Sequence, residues 1–177
     1  AGHRLTGAEG IALRALRWVL LASVSLPIAG CLAMARTEPP RVSQLTTGGD
    51  DLYRASQKLV IEGLDADVRG ESSRARSRYE RALQIDASNP WAYLALARHY
   101  VEKGEPGPAL SYLDRAEELL EAQALDSPGA KLHCDGLRGA ALALHGRGSE
   151  ARDLLDSAAR ASPALWGDGN LSAAGLR

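Results

Sequence analysis

Phenylalanine is absent from this sequence, and aromatic residues of every kind make up only 5% of it. A core built here must be filled by Leu, Tyr and Trp, with Ala taking the remaining positions. Cysteine is nearly as scarce. Cys31 and Cys134 are the only two, too few for a disulfide framework. A surplus of one charge sign is missing too: at a net charge of −1 there is no basic footprint, and nucleic acid is not expected as a partner. Val, Ile and Thr thin out after residue 68, which withholds the β-branched residues that sheets favour. What remains is a 177-residue chain, 45% apolar and 24% charged, of globular composition and of a size for one domain. Its Ala, Leu, Arg and Glu lose little rotamer freedom in a helix, so an all-α fold is expected.

The first thirty residues have a different character. Arg14 and Arg17 precede an uncharged apolar stretch from Trp18 to Leu26, which runs into Pro27-Ile28-Ala29-Gly30-Cys31. A basic start, a short apolar run and small residues before a cut follow the order of a secretory signal. Ile28-Ala29-Gly30-Cys31 also resembles the lipobox of bacterial lipoproteins, an aliphatic residue and two small ones before a cysteine. The resemblance implies that residues 1–30 are a removed signal peptide. It also implies that the Cys31 thiol carries a lipid and that this anchor holds the protein at a membrane. Leu32, where an Asp would imply inner-membrane retention, implies the outer membrane with the domain facing the periplasm. The competing reading is an uncleaved span, because no charge occurs from Trp18 to Ala35, close to the shortest length that crosses a bilayer. Residues 31–50 are then the lipidated cysteine and a flexible linker, with Pro39-Pro40, Thr46-Thr47 and Gly48-Gly49. As a coil this linker places the domain roughly 25 Å from the anchor. With Cys31 occupied, Cys134 has no disulfide partner in the chain.

The rest of the sequence repeats itself. Ala75, Tyr79 and Ala82 recur 34 residues later as Ala109, Leu113 and Ala116, and the small–large–small spacing returns at Ala151, Leu155 and Ala158. Self-similarity at this period is the sign of a solenoid. Tyr93, Leu96, Ala97 and Tyr100 supply a bulky, bulky, small, bulky series, and Tyr79-Glu80-Arg81-Ala82-Leu83 is followed by Asn89-Pro90-Trp91-Ala92-Tyr93. These residues resemble the tetratricopeptide repeat. The resemblance implies about three antiparallel helical hairpins over residues 51–163, an α-solenoid, with 164–177 as a C-terminal cap in which Trp166 covers the last repeat. Local punctuation agrees. Asn89-Pro90, Ser127-Pro128 and Ser162-Pro163 each put a capping side chain before a Pro that needs no N–H partner, and Gly104 and Gly146 stop helices. Six helices are predicted, near 51–68, 71–87, 90–103, 106–125, 128–145 and 148–161, with the eight extra residues of the last period lengthening the fourth.

Candidate chemistry is thin. Gly146-Arg147-Gly148-Ser149-Glu150-Ala151 has the spacing of a dinucleotide loop, but a helix precedes it where that site needs a strand. His133-Cys134-Asp135 invites a metal or thiolate reading, yet neighbours on a helix point about 100° apart. No metal or cofactor site is expected, and no motif marks a catalytic residue or an enzyme. Arg74, Arg78 and Arg81 share a helix face, either as a surface for anions or as a solvated back.

The family's binding surface is the face lined by the first helix of each repeat. Carried over, it implies a groove of Gln57, Val60, Leu64 and Asp67, then Trp91, Leu94, Arg98 and Glu102, then His133, Gly136, Ala140 and Ala143. A largely apolar groove suits a hydrophobic or amphipathic segment of a protein partner. Trp91 fits equally as core between repeats. The expectation is a non-catalytic, membrane-tethered scaffold that binds a protein and assists an envelope assembly or secretion machine. A self-associating structural subunit is the alternative, and an envelope enzyme comes last.

Overall fold

A computed structural model describes residues 39–45 and 50–177. The expected signal peptide and the lipidation site Cys31 lie outside the described residues. A 3₁₀ turn (Val42–Leu45) leads to α1 (Asp51–Val68), α2 (Ser72–Ile85), α3 (Pro90–Glu102), α4 (Pro106–Ala122), α5 (Pro128–Leu144), α6 (Gly148–Ala161), α7 (Pro163–Trp166) and α8 (Ala173–Leu176). The described residues contain no strand.

The first helix of each hairpin begins where a side chain accepts one of its first amides. Asp50 accepts the N–H of Tyr53 at 2.8 Å, Asn89 that of Trp91 at 3.0 Å and Ser127 that of Ala130 at 3.2 Å. They stop by one device, repeated three times. Gly104 turns left-handed at φ 72°, and the N–H of Glu105 reaches back five residues to the Tyr100 carbonyl at 2.9 Å. Gly70 and Gly146 do the same, with Glu71 bonding to Ala66 and Arg147 to Leu142. A residue with a Cβ is strained in that conformation, which is why glycine holds these corners.

Each corner folds a helix back on its predecessor, so α1 packs on α2, α3 on α4 and α5 on α6, and the three hairpins stack side by side. The repeating alanines sit at the crossings. Ala75, Ala82, Ala109, Ala116, Ala151 and Ala158 are all buried. Gly63 belongs to the same logic: a Cβ there would lie 2.3 Å from the Tyr79 ring.

The eight extra residues do not all go to the fourth helix. α4 ends at Ala122, and α5 takes part of the excess, with 17 residues against 13 in α3. The added first turn of α5 carries Gly129, where a Cβ would meet Pro40 at 2.3 Å and Pro39 at 2.8 Å. Within the expected linker, then, residues 39–45 are packed against the helices, and Val42 is fully buried. Their apolar Pro-Pro and Val side chains find a surface, which a Gly/Ser tether would not.

Candidate functional site: the concave face and its two straps

The first helices of the three hairpins, α1, α3 and α5, lie next to one another and present one face. Two segments of the chain cross it. The first is residues 39–45. Pro40 stacks on Gly129 of α5 and accepts a hydrogen bond from His133 Nε2–H at 3.2 Å, and the 3₁₀ turn reaches α1. The second is the C-terminal tail. α7 follows α6 directly and drives Trp166, fully buried, against Gly136 of α5, where a Cβ would lie 2.5 Å from the indole. The chain then turns at Gly167–Gly169, and α8 packs on α1. Leu171 and Leu176 of this tail are fully buried in the same cluster as Val60, Leu64, Trp91 and Leu94. The straps meet: the N–H of Ser43 donates to the Arg177 carbonyl at 2.9 Å, and the Arg177 guanidinium pairs with Asp65 of α1.

The groove inferred from the sequence is therefore covered by the chain itself. Gln57, Val60, Leu64, Trp91, Leu94, Arg98 and His133 are all buried, and among the positions named Glu102, with a half-exposed side chain, and Ala143 are exposed. Trp91 belongs to the core. The C-terminal segment, expected as a cap on the last repeat, packs against the first hairpin as well. Tail and strap carry no repeat spacing that would mark them in the sequence as occupants of this face.

A polar cluster at the edge of this face was missed entirely. Asp67, at the end of α1, receives Arg98 Nη2, the Nδ1–H of His99 at 3.0 Å and the Tyr79 hydroxyl at 2.9 Å. Burial alone would raise the Asp67 carboxyl, but the His99 hydrogen bond and the Arg98 charge outweigh it and hold the group below its ordinary value. Arg98 also binds Glu102 at 2.8 Å. His99 Nε2 faces the Ser72 hydroxyl at 3.5 Å. Ser72, His99 and Asp67 stand in the order of nucleophile, base and orienting acid. The carboxylate, however, is shared with Arg98 and Tyr79, so the cluster acts as a bolt joining α1 to α2 and α3. Residues 32 apart in sequence gave no spacing signal for it. A second buried set does the same further along: Asn89 Nδ2 donates to Ser56 Oγ at 2.8 Å and to Gln57 Oε1 at 3.0 Å.

The remaining candidates resolve as scaffold. Arg74 pairs with Glu71, Arg78 with Glu62 and Arg76 with Glu80, and Arg81 donates to Gln84, so the arginine face of α2 is locally matched. Gly146 and Arg147 lie in the turn between α5 and α6, and Gly148–Ala151 is the first turn of α6. Cys134 is a free, buried thiol, and burial pushes it up to about 12, with Glu117 and Asp135 adding to the effect. Among the described residues no cluster of His, Cys, Asp and Glu could hold a metal, and no helix is long and apolar enough to cross a membrane.

Stacked helical hairpins with a peptide-lined inner face define a helical-repeat binding scaffold. Residues 69–133, from the corner after α1 into α5, match the family model of the tetratricopeptide repeat. The same corners and alanine crossings continue the hairpin pattern on either side of the match. A comparison with curated proteins finds no match to the chain.

Proposed function

We propose that this protein is a non-catalytic scaffold, held at the bacterial outer membrane by a lipid on Cys31 and facing the periplasm, which binds a protein segment on its concave face. One observation supports the binding reading above others: that face already accommodates two peptide segments, residues 39–45 and the tail, on α1, α3 and α5. A surface that fits peptide in cis has the shape and apolar character to fit it in trans. The tether reading rests on Ile28-Ala29-Gly30-Cys31 behind a basic, apolar leader. With Pro39 already packed on the domain, seven residues separate it from Cys31, and the eight Cα steps between the two reach roughly 28 Å at full extension. The scaffold would then work close to the membrane, in assembly or secretion at the envelope.

Two experiments test this. A photoreactive residue at Glu102, half-exposed at the open edge of the face, should crosslink one dominant partner in intact envelopes. The same residue at Arg152 on the outer helix α6, also exposed, should not. Equal labelling from both sites would remove the concave face as the binding surface. Cys31→Ser should abolish incorporation of labelled fatty acid and leave an uncleaved precursor. A substituted protein that is still acylated and processed would end the lipoprotein reading.

A further inference from the structure

The tail is a poorly satisfied occupant of the face it covers. Among the described residues, buried side-chain polar atoms without a hydrogen-bond partner include Gln57 Nε2, Arg98 Nε, His133 Nδ1 and Trp166 Nε1. Arg98 borders the tail, His133 lies against Pro40 of the first strap, and Trp166 is on the tail itself. A buried unmet donor beside a covering segment marks a site whose present cover does not answer its polar groups. Clefts run beside that cover. One of about 320 Å³ lies between the tail at 170–174 and Asp67, Arg98 and Glu102. Another, of about 370 Å³, lies between Pro40 and Trp91.

The tail is also built to come away. α8 is a four-residue helix capped by Ser172, which accepts the N–H of Gly175 at 3.0 Å. A helix this short has no stability of its own and persists only while docked. Its outer fastening is the Arg177–Asp65 pair, whose side chains are 46% and 34% exposed, an exposure at which ion pairs contribute little. Gly167 and Gly169, the latter at φ 76°, lie between Trp166 and Leu171 and allow the segment beyond to swing while Trp166 stays in place.

We propose that residues 170–177 are a resident ligand and that the partner is a peptide segment that displaces them. Resting on the scaffold reading above, this adds the partner's chemistry and the control of its access. The incoming segment carries aliphatic side chains for the places of Leu171 and Leu176, and brings a hydrogen-bond acceptor to Arg98. The unmet group beside the tail, Arg98 Nε, is a donor, so an acceptor-bearing segment is favoured over a basic one. Acidic Asp67 and Glu102 beside the cleft favour a partner whose acceptors are mostly neutral carbonyls. Because tail and partner compete for one face, the free protein is closed, and its affinity is set by how often the tail lifts.

The probe is a fluorescein-labelled peptide of residues 168–177, titrated by anisotropy into the full chain. The wild-type chain should bind it weakly. Leu171→Asp, which places a charge where the tail must be apolar, should bind it at least tenfold more tightly. A peptide with both leucines changed to Asp should bind neither. Amide exchange should show Gly175 and Leu176 opening far faster than the amides of α3. Three results overturn the proposal: a Leu171→Asp chain that keeps its helical signal yet gains no affinity; tail amides as protected as those of α3; or a wild-type chain that is a stable dimer exchanging tails, which would make a second copy the occupant. Should Leu171→Asp fail to fold, Arg177→Ala removes only the exposed fastening and should still give a gain of about threefold, and no gain overturns the proposal equally. Peptide binding without any Glu102 crosslink in envelopes would sink the scaffold reading and leave the displaceable tail intact. A crosslinked partner with no peptide binding would do the reverse.

Discussion

His133 is the residue whose burial has the clearest consequence. Its Nε2–H donates to the Pro40 carbonyl, and burial pushes its pKa down to about 4. The folded imidazole is therefore neutral where the unfolded one, near 6.5, begins to charge. The folded pKa is the lower one, so in this window the unfolded state binds more protons and stability rises with pH. Stability should be full above pH 6.5 and fall progressively toward pH 4, by up to about 3 kcal/mol. Asp67, held below its ordinary value, contributes its own loss only at lower pH. Urea unfolding at pH 7.0, 5.5 and 4.5 checks this, and His133→Gln should flatten the slope between those points. A slope unchanged by the substitution would mean that His133 is solvated. Arg98 is the second such residue. Read from sequence as a partner-facing arginine, it is 2% exposed and pairs with a buried carboxylate. Arg98→Ala strands Asp67 and should cost roughly 3–5 kcal/mol of stability, measurable before any effect on binding. A near-neutral melt would show that the ion pair opens to water.

At the scale of elements, what could be read from the sequence was what repeats. Asn89-Pro90 and Ser127-Pro128 start helices as caps should, and Gly104 and Gly146 end them with φ near 72° and 83°. The alanine series located the helix crossings because close approach depends only on local side-chain size. The end of α4 could not be read this way. No glycine stands there. Instead Ala124 takes the left-handed corner at φ 52°, while the N–H of Leu125 reaches the Leu120 carbonyl at 2.8 Å. The expected helix to 125 was three residues too long because the usual punctuation is missing. Ala124→Gly should relieve the strain and raise stability by roughly 0.5–1 kcal/mol, since a Cβ is disfavoured in that conformation. Thermal melting would detect the gain, and a loss would mean that the extra freedom of the unfolded chain outweighs it. The polar bolt at Asp67 and the two straps could not be read from spacing either. They join residues tens of positions apart, and nothing periodic in the sequence records such a contact.

At the scale of the whole molecule, the straps change how the solenoid holds together. In an open helical repeat each unit touches only its neighbours, and stability is a sum of local pieces. Here the tail leaves α6 in the third hairpin, inserts Trp166 against Gly136 and then packs α8 on α1 in the first, where Arg177 also meets the strap at Ser43. The first and last hairpins are thereby linked directly as well as through the second. Loss at one end should accordingly be felt at the other. Trp166→Ala removes the largest fully buried side chain, and a core truncation of that size costs roughly 3–5 kcal/mol. In an open solenoid that loss would appear as faster amide exchange in α5 and α6 alone. In the closed arrangement α8 loses its approach to α1 as well, so exchange in α1 should accelerate along with α5, while α3, packed between two hairpins, changes least. Site-resolved exchange on the folded variant separates these outcomes, and protection in α1 equal to wild type would show that the tail does not couple the ends.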